Sequence, residues 1–253
     1  MSALEGWRVL VPRGGRWGID LADRLRAAGG SALIAPLIAF EPAEDEAALA
    51  VAVARLAGGD YDWLVLTSAT TVEALERIGA RIPARTRVAV VGEHTAEAAR
   101  EAGFPVDFVP DGDHAAQGLV TQWPAPVAEP APRVLLPQSQ LADETLLESL
   151  GDIGLDVERV TAYRTVAVPP AEGVAAQVTA GAFDAIVLTA GSVAARVADE
   201  FPGLPEATSL VAIGPRTAAE AEAAGLPIAA VAPGRSAAAI VEVLALLAER
   251  RRA

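Results

Sequence analysis

The chain repeats itself at long range, and this constrains its fold more than any other feature. Tyr61-Asp62-Trp63-Leu64-Val65-Leu66-Thr67-Ser68-Ala69 returns 122 positions later as Phe183-Asp184-Ala185-Ile186-Val187-Leu188-Thr189-Ala190-Gly191. At the same spacing, Val88-Ala89-Val90-Val91-Gly92 returns as Leu210-Val211-Ala212-Ile213-Gly214, and Thr95-Ala96 as Thr217-Ala218. Gly103-Phe104-Pro105-Val106 returns as Gly225-Leu226-Pro227-Ile228, again 122 positions on. Arg8-Val9-Leu10-Val11-Pro12 matches Arg133-Val134-Leu135-Leu136-Pro137 at a spacing of 125. The chain is therefore two copies of a unit of about 120 residues, far longer than the repeats of solenoids.

Within each copy, short runs of Val, Ile and Leu alternate with stretches of Ala, Leu, Glu and Arg. The runs are apolar throughout, as strands covered on both faces should be. They predict strands over Trp7–Pro12, Ala32–Phe40, Trp63–Thr67, Val88–Val91 and Val106–Val109 in the first copy. In the second they predict Arg133–Pro137, Leu155–Thr165, Ala185–Thr189, Leu210–Ile213 and Ile228–Val231. Glycine followed by proline, at Gly103-Phe104-Pro105 and Gly225-Leu226-Pro227, marks helix ends. Such alternation gives an α/β fold of parallel, doubly wound sheets. Two of the runs, Ala32–Phe40 and Leu155–Thr165, are long for a small sheet, and prolines (Pro36, Pro42, Pro169-Pro170) sit near them. These read as crossings between two domains, with residues 1–37 and 168–253 in one and 42–165 in the other. The rival boundary is the Pro/Ala stretch Pro124–Pro132.

Composition removes several classes of function. Of 253 residues, 20 are basic and 33 acidic, a net charge of −13, which argues against a nucleic-acid partner. All the basic residues are arginine, so any bound anion must be held by arginine, hydroxyls or backbone N–H groups. There is no cysteine and there are only two histidines, His94 and His114, which excludes disulfides, thiolate chemistry and His- or Cys-rich metal sites. No apolar run approaches the ~20 residues of a membrane span, and the start of the chain lacks the features of a signal peptide. A cytoplasmic, monomeric protein without cofactor is expected.

In doubly wound sheets, ligands lie beyond the carboxyl ends of the strands. The turns there include Pro12-Arg13-Gly14-Gly15, Thr67-Ser68-Ala69-Thr70, Gly92-Glu93-His94-Thr95 and Asp111-Gly112-Asp113-His114. Further turns are Pro137-Gln138-Ser139-Gln140, Thr189-Ala190-Gly191-Ser192, Gly214-Pro215-Arg216-Thr217 and Pro233-Gly234-Arg235-Ser236. Their hydroxyls fit plain helix capping, and their N–H groups fit anion binding. His94 and His114 fit exposed turn residues, and Glu44-Asp45-Glu46 a solvated helix start. No dinucleotide fingerprint, P-loop or nucleophile elbow is present.

With the repeat and turns in place, the chain resembles uroporphyrinogen-III synthases. The resemblance runs from about residue 7 to residue 247 and rests on an ordered set of motifs. These are Ile213-Gly214-Pro215-Arg216-Thr217-Ala218 with Ala224-Gly225-Leu226, and the paired turns Leu66-Thr67-Ser68-Ala69 and Leu188-Thr189-Ala190-Gly191-Ser192-Val193. Val160-Thr161-Ala162-Tyr163-Arg164-Thr165 and the opening strand Val9-Leu10-Val11-Pro12-Arg13 complete the set.

The resemblance implies two flavodoxin-like domains joined by a two-stranded connector near residues 32–42 and 160–170. It implies a cofactor-free reaction on hydroxymethylbilane, a linear tetrapyrrole with eight carboxylates, closed to uroporphyrinogen III with inversion of ring D through a spiro intermediate. It assigns Tyr163 to the leaving hydroxyl and Thr217 to a substrate carboxylate. Thr67, Ser68, Thr189, Ser192, Gly214, Arg13 and Arg216 become further substrate contacts. Ala190 departs from the serine that this turn often carries in the family. The alternative from another class is a two-domain module that binds or senses a small molecule without reacting it, because fold alone does not fix function.

Overall fold

The structure is a computed structural model, and it describes residues 2–112, 116–124 and 130–252. The chain opens with β1 (Arg8–Val11), α1 (Gly15–Ala27) and β2 (Ser31–Ile34). Its middle forms β3 (Ile38–Pro42), α2 (Glu46–Gly58), β4 (Trp63–Leu66), α3 (Ala69–Arg77), β5 (Arg87–Val90) and α4 (Glu93–Glu101). Then come α5 (Ala116–Thr121), β6 (Arg133–Ser139), α6 (Thr145–Asp152) and β7 (Asp156–Ala167). The last part is α7 (Val174–Thr179), β8 (Ala185–Leu188), α8 (Gly191–Glu200), β9 (Ser209–Ala212), α9 (Pro215–Ala223), β10 (Ile228–Val231) and α10 (Ala237–Arg252). These elements gather into two units: Met1–Ala39 with Val166–Ala253, and Phe40–Thr165.

The first unit holds a five-stranded parallel sheet in the order β10-β9-β8-β1-β2. Counted along the chain this is the 2-1-3-4-5 order of flavodoxin-like sheets. Successive side chains of a strand point to opposite faces, which is why its runs are apolar without alternation. Val9, Val11, Val187 and Val211 pack on one face with Leu21 and Leu25 of α1 and Ile240 and Leu244 of α10. Leu10, Ile186, Leu188 and Leu210 pack on the other with Val178 of α7, Val193 and Val197 of α8 and Ala221 of α9.

The second unit has the order β3-β7-β6-β4-β5, with parallel pairing of β7 to β6, β6 to β4 and β4 to β5. Four of its strands repeat the first arrangement, and β3 adds an edge beside β7. β6, β7, β4 and β5 stand where β1, β2, β8 and β9 stand in the first unit; the β1-to-β6 spacing exceeds that of the other repeats because the first copy is longer between its first strand and Tyr61. Leu64, Leu66, Val88, Val90 and Leu135 cover one core with α2, α3 and α4. Trp63, Val65, Ala89, Val134 and Leu136 cover the other with Leu119 of α5 and Leu146 and Leu150 of α6.

Two expected strands differ from the observed ones. Ala32–Phe40 is not one strand but β2 and β3, in different sheets. The break falls at Pro36, which has no N–H to give a ladder. On either side, Ala35 N–H donates to Val11 O and Leu37 N–H to Pro12 O. Val106–Val109 is no strand; a single parallel bridge joins Phe108 to Ala89. Pro105 and Pro110 remove donors at both ends, and the Asp107 carboxylate takes the N–H of Val88 at 2.7 Å. Among the described residues, no helix is long and apolar enough to cross a membrane.

Candidate functional site

In the second unit, the carboxyl ends of β4 and β7 bring three hydroxyls together. Four apolar residues bury β4 completely, so the chain emerges at Thr67, half-buried, and turns into α3. Ser68 is the N-cap, with extended backbone, and its Oγ accepts the Thr71 N–H at 3.1 Å. The same Oγ lies 2.9 Å from Thr71 Oγ1 and 3.4 Å from the Tyr163 hydroxyl. Thr71 is fully buried and Tyr163 is 8% exposed. Tyr163 lies opposite Ser139, just past an irregularity in the β6–β7 register, and takes the Phe40 ring edge-on at 5.4 Å. Next to it, Arg164 pairs with Glu41 at 2.6 Å and Glu44 at 3.7 Å. Gln138, also at the carboxyl end of β6, is 4% exposed, and its Oε1 has no hydrogen-bond partner.

In the first unit, the carboxyl ends of β1, β8 and β9 lead into α1, α8 and α9. Their N-caps are Gly14, Ala190 and Gly214, and none makes a side-chain capping bond. Three helix N-termini thus keep their outward N–H groups for solvent or an anion. The expected capping by hydroxyls holds for α3 and for α10, where Ser236 takes the Ala239 N–H, while a carboxylate, that of Asp45, takes the Ala48 N–H at the start of α2. It does not hold here, because the cap residue is itself glycine or alanine and, in α8 and α9, the hydroxyl falls inside the helix. Ser192 is the second residue of α8. Thr217 is the third of α9 and 7% exposed, so it is no cap.

Thr189 is also 7% exposed, and its Oγ1 is buried without a partner. Arg216, on the exposed side of α9, pairs with Glu220 at 2.9 Å. Glu220 in turn lies against Gly191, where an added Cβ would stand 1.8 Å from its Oε2. Arg13 stands at the end of β1 with its guanidinium 5.4 Å from the centre of the Trp17 ring. α1 approaches so closely here that a Cβ on Gly18 would meet the Arg13 carbonyl at 2.2 Å.

Thr67, Ser68 and Tyr163 therefore share the carboxyl edge of one sheet. Arg13, Thr189, Ser192, Gly214, Arg216 and Thr217 share that of the other. Sequence reasoning passed over Thr71, Gln138 and Glu220. Comparison of the two repeats does reveal the first, since Thr71 stands where the other copy has Val193. His94 is exposed on α4, and Asp113 and His114 lie outside the described residues. Among the described residues, no three His, Asp or Glu side chains are grouped as metal ligands. Among the described residues, the strongly displaced pKa lies at the opposite edge. Tyr61, 2% exposed just before β4, is pushed up to about 12 by burial first and then by the Glu158 carboxylate.

A family model described as uroporphyrinogen-III synthase HemD matches residues 19–242. The chain belongs to the uroporphyrinogen-III synthase family. It is 32% identical over 171 residues to the uroporphyrinogen-III synthase of Synechococcus elongatus, a match covering 64% of this chain and 62% of that protein. It is thus aligned to less than two thirds of that relative's length. A putative uroporphyrinogen-III synthase of Methanothermobacter thermautotrophicus is 30% identical over 231 residues, 85% of this chain and 88% of that one. Among solved structures, uroporphyrinogen-III synthetase from Helicobacter pylori superposes with a TM-score of 0.63 at 18% identity, covering 95% of this chain and 99% of that one. At that identity the likeness is one of fold, and the α/β architecture of the family is the one observed here. Membership in this family favours an enzyme over a binding module.

Proposed function

We propose that this chain is a lyase that closes hydroxymethylbilane to uroporphyrinogen III. The observation that carries this reading is the family match across residues 19–242. The placement of Tyr163 and Ser68 at the carboxyl end of their sheet supports it. In the reaction, a pyrrole nitrogen of ring A pushes out the hydroxyl of the hydroxymethyl group, which leaves as water after taking a proton. The electrophile so formed is attacked by ring D at its substituted carbon. The spiro intermediate then opens and recloses at the other position, so that ring D is inverted. Because the pyrrole supplies the push, the protein's work is to orient the two ends of a flexible chain and to give a hydrogen bond to the departing hydroxyl.

Tyr163 is the group for that hydrogen bond, with Thr67 and Ser68 beside it. In the other unit, the uncapped N–H groups of α8 and α9, with Thr189, Ser192, Gly214, Thr217 and Arg216, suit substrate carboxylates, as does Arg13 after β1. The chemistry calls for no metal or nucleotide, so activity is expected to survive dialysis against a strong chelator. A cytoplasmic setting fits a chain without cysteine, and the reading takes the protein as a monomer. The deciding test is incubation with freshly generated hydroxymethylbilane and separation of the product isomers. The type III isomer is expected. Product of the type I isomer alone, as closure without inversion gives, would defeat the reading.

A further inference from the structure

We infer that Thr71 is a positioning residue that fixes the direction of the proton on Tyr163, through Ser68; this rests on the activity proposed above. A serine oxygen offers two acceptor positions and one donor. Ser68 Oγ already accepts the Thr71 N–H at 3.1 Å, which leaves one acceptor position and its own hydrogen. Two hydroxyls compete for them: Thr71 Oγ1 at 2.9 Å and Tyr163 at 3.4 Å.

If Thr71 donates to Ser68, the Ser68 hydrogen goes to the Tyr163 oxygen, and the phenolic hydrogen is free to point at a ligand. If the chain runs the other way, Tyr163 spends its hydrogen on Ser68, and the Thr71 hydrogen is left without an acceptor. Thr71 is 0% exposed, so water does not supply one, and Ser68 is its hydrogen-bond partner among the described residues. Buried hydrogens without acceptors are costly, and the first direction wins. It is also the direction in which Tyr163 can donate to a leaving hydroxyl. The 3.4 Å contact is long for two hydroxyls, as catalytic hydrogen bonds often are until substrate is seated.

A second observation separates this from plain packing. In the other copy of the repeat, Ser68 and Thr71 are replaced by Ala190 and Val193. Val193 is fully buried and packs in its core. The fold is therefore satisfied by a methyl where Thr71 carries its hydroxyl, and the hydroxyl pair occurs in the unit that holds Tyr163. Val193 also shows that Thr71→Val is compatible with this architecture.

Two measurements test the assignment, one of them independent of activity. Neutron diffraction on the deuterated protein should place the Thr71 deuterium toward Ser68 and the Ser68 deuterium toward Tyr163. A Ser68 deuterium aimed at Thr71 overturns the proposal whether or not the protein is a synthase. In steady-state kinetics, Thr71→Val should lower kcat roughly threefold to tenfold, a part of what a general acid supplies, with KM and melting temperature unchanged. Thr71→Ser should recover most of that loss. In a Tyr163→Phe background, Thr71→Val should have no further effect, because the two act as one unit. Equal losses in both backgrounds, or none in either, overturn the proposal. A wild-type protein that forms no uroporphyrinogen III would instead overturn the activity and leave the neutron result to decide the relay.

Discussion

Tyr163 and Thr217 are both polar groups held almost out of solvent, yet removal of their hydroxyls should have different consequences. Tyr163→Phe keeps the ring against Phe40 and deletes the hydrogen bond proposed for the leaving group. Turnover should fall by about tenfold to a hundredfold, at or below the lower end of general acid effects, with substrate affinity little changed. Thr217→Val should raise KM for the tetrapyrrole. Because Gly214, not Thr217, caps α9, the variant should lose no capping energy, and its melting temperature should stay near that of the wild type. A clear fall in melting temperature would show a structural task for this hydroxyl. Tyr61 gives a third test. Its pKa is raised from an unfolded value near 10 to about 12, so the folded state holds the phenolic proton more tightly. The associated stability is complete below pH ~10 and is lost as pH rises from about 10 to 12. Unfolding experiments across that window should show the decline in the wild type and a flatter profile in Tyr61→Phe. Much of the candidate site was legible, since Thr67, Ser68, Thr189 and Thr217 all end or follow predicted strands. The burial of Gln138 and the approach of Glu220 to Gly191 were not, because they depend on register and on a neighbour distant in sequence, which a linear pattern does not display; Thr71 shows only when the two repeats are compared.

At the level of elements, the starts of helices carry the main lesson. α3 and α8 are counterparts, but Ser68 caps one while Ala190 leaves the other open. α8 instead lies against a carboxylate from its neighbour, because Gly191 admits Glu220 of α9. A methyl at this position cannot coexist with Glu220 as placed. Gly191→Ala should therefore push Glu220 aside and separate it from Arg216. Crystallography of the variant would show the displaced pair. The stability change should be small, within about 1 kcal/mol, because the ion pair is exposed. Strand runs were read well where they were buried on both faces, as Trp63–Leu66 and Ala185–Leu188 show. They were misread at Ala32–Phe40 and Val106–Val109, where hydrophobic content was high enough but proline and the Asp107 carboxylate broke the ladder. Hydropathy reports burial, and it is silent about which N–H groups remain to be paired.

Across the whole molecule, the internal repeat made the α/β class and the parallel sheets legible. Strand order needed the structure, since a shared motif does not say at which strand a copy begins. Here each sheet draws strands from both copies, and one unit is continuous while the other is interrupted. The continuous unit has cores on both faces of its sheet, built from its own residues. A fragment spanning residues 38–167 should accordingly fold alone, with α/β circular dichroism and a cooperative melt. A fragment of residues 1–39 should remain unfolded, since β1 lacks its neighbour β8. The interrupted unit also sets an order of events on the ribosome. Translation at roughly 5–20 residues per second delivers the middle unit complete while the first two strands still wait for their partners. For some seconds Val9, Leu10 and Val11 have emerged without β8 beside them. The nascent chain is then half finished at its beginning, and its earliest residues are among the last to be enclosed.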